Sequence, residues 1–136
     1  MTTSTPAETV DISTGNDVVR VRQVVRALAQ QVHLSLVDQT KLVTAASELA
    51  RNVLVHGGSG SATAEIVLAA PRSGVRVRFA DSGPGIADLA LAMTDGYSSG
   101  VGLGLGLGGS KRLVDEFDVV SAPGEGTVVT VVKWAR

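Results

Sequence analysis

Apolar residues recur along this chain with a helical period in two stretches and a strand-like pattern in two others, and between these blocks the pattern breaks. Val18, Val21, Val24, Val25 and Leu28 sit at helical spacing in "VVRVRQVVRALAQQVHL", with Arg20, Arg22 and Arg26 pointing elsewhere. This predicts an amphipathic helix entered from "STGND", with Asn16 or Asp17 as its cap. A second helix is expected from Leu36 to about Val55, on the seam Leu42, Ala46, Leu49 and Val53. "ATAEIVLAA" and "GVRVRFAD" are β-rich and flank the turn residues "PRSG", so residues 62–81 read as a hairpin. From Ser82 to Gly104 no period is sustained, and an unstructured run of that length is expected to be a functional loop. "LGGSKRLVDEF" places Leu107, Leu113, Val114 and Phe117 at positions consistent with a short helix. "DVVSAPGEGTVVTVVKWA" closes the chain as a second hairpin around Pro123 to Gly126. The sum predicts a two-layer α+β sandwich, a mostly antiparallel sheet covered by helices on one face.

Bulk properties narrow the functional classes. The 136 residues suit a single core, with residues 1–8 a small, polar, loose tail and 9–136 one domain. A hydrophobic fraction of 44% and a mean hydropathy of +0.27 are ample for that core, supplied by Val, Leu and Ala because aromatics are only 3%. No run of apolar residues is long enough to span a bilayer, and "MTTSTPAETV" lacks the order of a signal peptide, so a cytoplasmic protein with no membrane partner is expected. The absence of cysteine fits a chain needing no disulfide or thiolate metal site. A net charge of −1 argues against nucleic acid as the main partner, since phosphate binding shows as a basic excess.

Three stretches carry candidate chemistry. In "ASELARNVLVHG", Glu48 and Asn52 lie four apart and share a helix face, with His56 one turn further on. A carboxylate can take a proton and an amide oxygen is a hard ligand suited to Mg²⁺, although an isolated pair at this spacing equally describes a solvated helix face. In "FADSGPGI", Asp81 ends an apolar strand as a hydrogen-bond acceptor, and Gly83 and Gly85 leave room for a flat ring such as adenine. By itself this is also an ordinary Asp-Gly turn. "GVGLGLGLGGSKRL" contains G-x-G-x-x-G at residues 104–109, but it does not directly follow a strand as a dinucleotide site requires. Gly109-Ser110-Lys111 has the wrong order for a Walker A loop, and the run is too short for a membrane-helix glycine face. What remains is a glycine loop feeding a helix start near Lys111 or Arg112, where free N–H groups meet phosphate, or else a flexible linker, which would more naturally lack leucine. Arg51 suits a phosphate, a partner or a surface ion pair, while His33 and His56, with no third ligand at suitable spacing, read as structural.

Taken in order, E-x-x-x-N on a helix, D-x-G-x-G after a strand, G-x-G-L-G-L and "GEGT" before the last strand resemble the Bergerat-fold ATPases and kinases, which include gyrase, Hsp90, histidine kinases and MutL. Within that superfamily the chain is most similar to the compact anti-sigma-factor serine kinases of bacteria. "SELARN", "DGYSSG", "KRLVDEF" and "TVVTVVKWAR" resemble the stressosome switch kinases, whereas "NVLVHG" resembles the sister group that binds sigma factors directly.

The resemblance implies ATP and Mg²⁺ as cofactors, with Glu48 as general base and Asn52 as Mg²⁺ ligand. It implies Asp81 on the adenine amine flanked by Gly83 and Gly85, a lid formed by Gly102, Gly104 and Gly106, Lys111 near the phosphates, and Gly126 with Thr127 completing the adenine side. It further implies a protein serine/threonine kinase acting on a STAS-domain antagonist, allows a sigma factor or PP2C-type phosphatase as a further partner, and allows a homodimer. Two alternatives stay open: an ATP-binding anti-sigma factor that mainly sequesters its partner, and a non-catalytic nucleotide-gated module. The intact Glu48 counts against the last.

Overall fold

A computed structural model describes residues 3–4, 6–85 and 106–136. The greater part of the expected loop, including Gly102 and Gly104, therefore lies outside the described residues.

The first helix, α1 (Gly15–Gln31), follows two short strands, β1 (Thr3–Ser4) and β2 (Glu8–Ile12). Its cap is neither Asn16 nor Asp17 but Thr14, whose backbone is extended. Asp17 lies inside the first turn and reaches back, its Oδ2 accepting the N–H groups of Ser13 at 2.9 Å and Thr14 at 3.0 Å. This satisfies backbone donors that the start of a helix leaves open. The apolar stripe falls where the period put it, with Val18, Val21, Val25 and Leu28 buried. The helix ends with His33 in the left-handed region at φ 61°.

The second helix, α2 (Leu36–Asn52), is capped by Ser35 Oγ, which accepts the Asp38 N–H at 3.1 Å. It does not run on to Val55 as a regular helix. After Asn52 the backbone widens into a π turn, Val53–Gly57, that leads to the sheet.

The first expected hairpin is β3 (Gly60–Ala69) with β4 (Arg72–Asp81), and the second is β5 (Glu116–Ser121) with β6 (Thr127–Trp134), both antiparallel. β4 and β6 pair antiparallel and join the hairpins into a six-stranded sheet. β3 carries β2 on its outer side, and also pairs with β1 through Thr3 and Ser4 of the expected tail. A short helix, α3 (Gly106–Lys111), precedes β5. It is shorter than the sequence suggests. The chain turns after Lys111, Asp115 N–H bonds the Val132 carbonyl at 2.9 Å, and Phe117 belongs to β5, not to the helix. Three glycines and a serine in a six-residue helix supply little propensity, so the strand pairing prevails.

The helices cover one face, α1 over β3 and β4 and α2 over β4 and β6, with α3 packed against α2. Val75, Val77 and Phe79 of β4 meet Val129 and Val131 of β6 and the buried stripes of α1 and α2 in one core. This is the predicted two-layer sandwich. On the opposite face, Val67, Val132 and Trp134 form a small separate cluster. Gly74 makes that cluster possible, because a Cβ there would meet the Lys133 carbonyl at 2.6 Å and Trp134 Cε3 at 2.9 Å.

Candidate functional site

The C-terminal end of α2, the π turn and the ends of β4 and β6 converge at one end of the sheet. α2 is buried almost all round from Leu42 to Ala50, because the sheet, α1 and α3 pack against it. That burial includes Glu48, which is 3% exposed, and its Oε1 has no hydrogen-bond partner among the described residues. A buried carboxylate oxygen without a partner is costly in a folded protein and marks a position where water, metal or a substrate hydroxyl belongs. Asn52 is one helical turn on, half-buried, in the last residue of α2. The solvated-face reading of this pair fails for Glu48. Ser110 of α3, fully buried on the helix that packs against α2, also has an Oγ without a partner among the described residues.

Asp81 ends β4 as expected and, by strand alternation with Val77 and Phe79, shares the helix-covered face. Gly83 N–H donates to its Oδ1 at 2.9 Å, fixing the carboxylate in a local turn. Gly83 and Gly57 approach each other across the site. A Cβ on Gly57 would lie 2.5 Å from Asp81 Cβ and Cγ, and one on Gly83 would lie 2.7 Å from Gly57 Cα. Sequence reasoning did not single out Gly57. Its signal was the pair of glycines after His56, which close the π turn directly against the Asp81 side chain.

Gly126 and Thr127 lie on the other side of Asp81. Gly126 is buried at φ 77°, so close over the Asp81 carbonyl that a side chain would collide with it. Thr127 is the cross-strand partner of Asp81. Its Oγ1 is 2.8 Å from the hydroxyl of Ser121, the last residue of β5, and Ser121 Oγ donates to the Gly126 carbonyl at 3.0 Å. The loops are clasped to each other as well, with Gly124 N–H bonding the Pro84 carbonyl at 2.6 Å. Gly85, at φ 78°, packs on the Ala122 carbonyl. Ser121 was also missed, since a small polar residue at a strand end carries no distinctive sequence signal.

The structure thus brings Glu48, Asn52, Asp81, Gly83, Gly85, Gly126 and Thr127 to elements that meet at one end of the sheet. Gly106 opens α3, whereas Lys111 is exposed at its last residue, away from the helix start that was expected to meet phosphate. Among the described residues no three His, Cys, Asp or Glu side chains cluster as a metal site, and no helix is long and apolar enough to cross a membrane.

Comparison with known proteins gives the same architecture. The chain is 43% identical over 127 residues to the serine/threonine-protein kinase RsbT of Bacillus subtilis (strain 168), covering 93% of this chain and 96% of the relative. It is 30% identical over 118 residues to an anti-sigma F factor of Thermoanaerobacter sp. (strain X514), covering 83% and 82%. In the crystal structure of the RsbU and RsbW domains of Rv1364c from Mycobacterium tuberculosis, a matching region superposes with a TM-score of 0.66 at 23% identity, over 97% of this chain and 33% of that longer one. The model of the histidine kinase-like ATPase domain matches residues 13–133, nearly the whole chain, and the chain belongs to that family.

Proposed function

We propose that this chain is an ATP-dependent protein serine/threonine kinase that phosphorylates a STAS-domain antagonist in a bacterial sigma-factor partner switch. The observation that carries the reading is the buried Oε1 of Glu48, unpartnered among the described residues, one turn before Asn52 and at the same end of the sheet as Asp81. The similarity to a named serine/threonine-protein kinase over nearly the whole chain supports it. In this reading Asp81 accepts from the exocyclic amine of adenine, Gly83 and Gly57 leave room for the base, and Glu48 takes the proton of the attacking hydroxyl. Asn52 beside a carboxylate offers the sparse hard-oxygen set that Mg²⁺ takes from a protein when phosphates and water complete its shell, and the ion would neutralise phosphate charge there. Gly102 and Gly104 remain proposed lid residues and Lys111 a proposed phosphate neighbour.

The test separates Glu48 from Asn52. Glu48→Gln should bind ATP near the wild-type affinity while single-turnover transfer to a purified STAS-domain antagonist falls about 10²–10⁴-fold. Asn52→Ala should weaken both binding and transfer. Wild-type transfer by Glu48→Gln would refute the general-base assignment. Similarity to an anti-sigma F factor favours a second reading, in which stable capture of a sigma factor is the main act, and a complex that survives gel filtration independently of Glu48 would support it.

A further inference from the structure

Two buried side-chain oxygens lack a hydrogen-bond partner among the described residues, and they belong to helices that pack together. One is Oε1 of Glu48, the proposed base; the other is Oγ of Ser110, which is fully buried on α3. α3 packs chiefly on α2. Ser110 lies about one turn beyond Leu107, a member of the core, so the buried side of α3 carries both. On α2 the core is built from Leu42, Val43, Ala46, Leu49 and Ala50, whereas Ala45 is completely buried outside it. Ala45, Glu48 and Asn52 recur at i, i+3 and i+7 and so share one side of α2. With α1 and the sheet taken up by the core side, α3 is left, among the described residues, to cover this one. The two oxygens are chemically complementary, since an ionised carboxylate only accepts and a hydroxyl has one proton to give.

We infer that Ser110 is a positioning residue for Glu48: its hydroxyl donates a hydrogen bond to the carboxylate, directly or through one buried water, and so aims the other carboxylate oxygen at the hydroxyl that is to be phosphorylated. This rests on the general-base role proposed above for Glu48. A glutamate side chain is long and rotatable, and misplacing a catalytic group by about 1 Å can cost roughly 100-fold in rate. A base that activates a nucleophile is characteristically oriented by a third group, and a neutral hydroxyl can do this while leaving the carboxylate its charge. The Ser110 proton stays on Ser110 throughout, and only the proton of the attacking hydroxyl moves to Glu48. A buried hydroxyl that bonds nothing within the fold adds no stability to it, which points to a role other than packing.

The experiment measures Mg-ATP affinity by calorimetry and single-turnover transfer to a purified STAS-domain antagonist, for the full chain carrying Ser110→Ala or Ser110→Cys, each alone and combined with Glu48→Gln. Both single variants should bind Mg-ATP near the wild-type affinity and transfer phosphate about ten- to hundredfold more slowly, the range of one hydrogen bond to a charged group. Ser110→Cys keeps the volume with a far weaker donor, so it carries the test even if the alanine variant folds poorly. In the Glu48→Gln background the same substitutions should change transfer by less than about twofold, because no base is left to position. If they slow transfer there by the same factor as in the wild type, or if the single variants lose ATP affinity in step with transfer, Ser110 merely supports the packing of α3 and the inference is overturned. Wild-type transfer by both single variants overturns it as well. Glu48→Gln alone is measured alongside. Wild-type transfer there would refute the base itself, a failure distinct from loss of the Ser110 effect alone.

Discussion

At the scale of single residues, the site depends on how closely backbone approaches the Asp81 side chain. Gly57 has no room for even one carbon, because its Cβ would fall 2.5 Å from Asp81 Cβ and Cγ. Gly57→Ala must therefore displace either the π turn or the carboxylate. Overpacking of this kind costs about 1–3 kcal/mol, and here it falls on the group proposed to read the base. ATP affinity is expected to drop about tenfold or more, by an amount set by the same range, as calorimetry would measure. Asp81→Asn is the complementary change: the backbone stays, but an amide can turn its N–H₂ toward the adenine amine. The mismatch should weaken ATP binding by about 1–3 kcal/mol.

At the scale of elements, the two long helices are started by different devices, and each predicts its own stability signature. The Asp17 carboxyl of α1 is held below its ordinary value, first by the Ser13 N–H and then by the Thr14 N–H. Its depressed folded-state pKa means that the ionised side chain stabilises the fold above the unfolded value of 3.8, and that this contribution is lost as pH falls through the lower folded value. Asp17→Asn should therefore unfold at lower urea than the wild type at neutral pH, with the two curves converging under strongly acid conditions. A difference that persists undiminished in acid would contradict the capping role. Ser35 acts through a neutral hydroxyl, so Ser35→Ala should cost about 1 kcal/mol independently of pH in the same assay.

At the scale of the whole molecule, the end of the sheet remote from the site is joined by a buried charge. Lys133 lies on the helix-covered face of β6 at 4% exposure, with Nζ 3.6 Å from Asp38 Oδ1 and 3.7 Å from Asp115 Oδ1. It ties the first turn of α2 and the residue before β5 to β6. Lys133→Met would leave two carboxylates facing an apolar side chain, and removing one partner of a buried pair typically costs about 3–5 kcal/mol. The low end is expected, because Arg136 also contacts Asp115, at 2.5 Å, and Asp38, at 3.8 Å. Adding Asp38→Asn to Lys133→Met should recover part of the loss in urea unfolding, while leaving ATP affinity at the distant site unchanged.

Much of this molecule is local in origin and was legible without coordinates. The stripe Val18–Val21–Val25–Leu28, the β-formers around "PRSG", and Gly124 and Gly126 as turn residues each express a conformational preference within a few positions, so two helices, two hairpins and the layered fold followed from the sequence. Glu48, Asn52, Asp81 and Gly83 were legible as candidates because their spacing survives in one dimension, and Gly126 through the family resemblance. Tertiary structure alone removed the solvated-face reading of Glu48. Glu48 on an isolated helix would be solvated, and it becomes a buried carboxylate, its Oε1 without a partner among the described residues, only because the sheet, α1 and α3 close around α2. The fate of Phe117 was likewise non-local, since the pairing of β5 with β6 outweighed the weak propensity of a glycine-rich helix. Gly57 and Ser121 stayed hidden for the same reason: each meets a neighbour far away in the chain or across a strand, Gly57 against Asp81 and Ser121 beside Thr127. Sequence by itself determined the elements and their order, because periodicity and turn chemistry are short-range. The proximity, burial and hydrogen bonding that make a site were decided by the packing of those elements, because they depend on contacts that no short window of sequence contains.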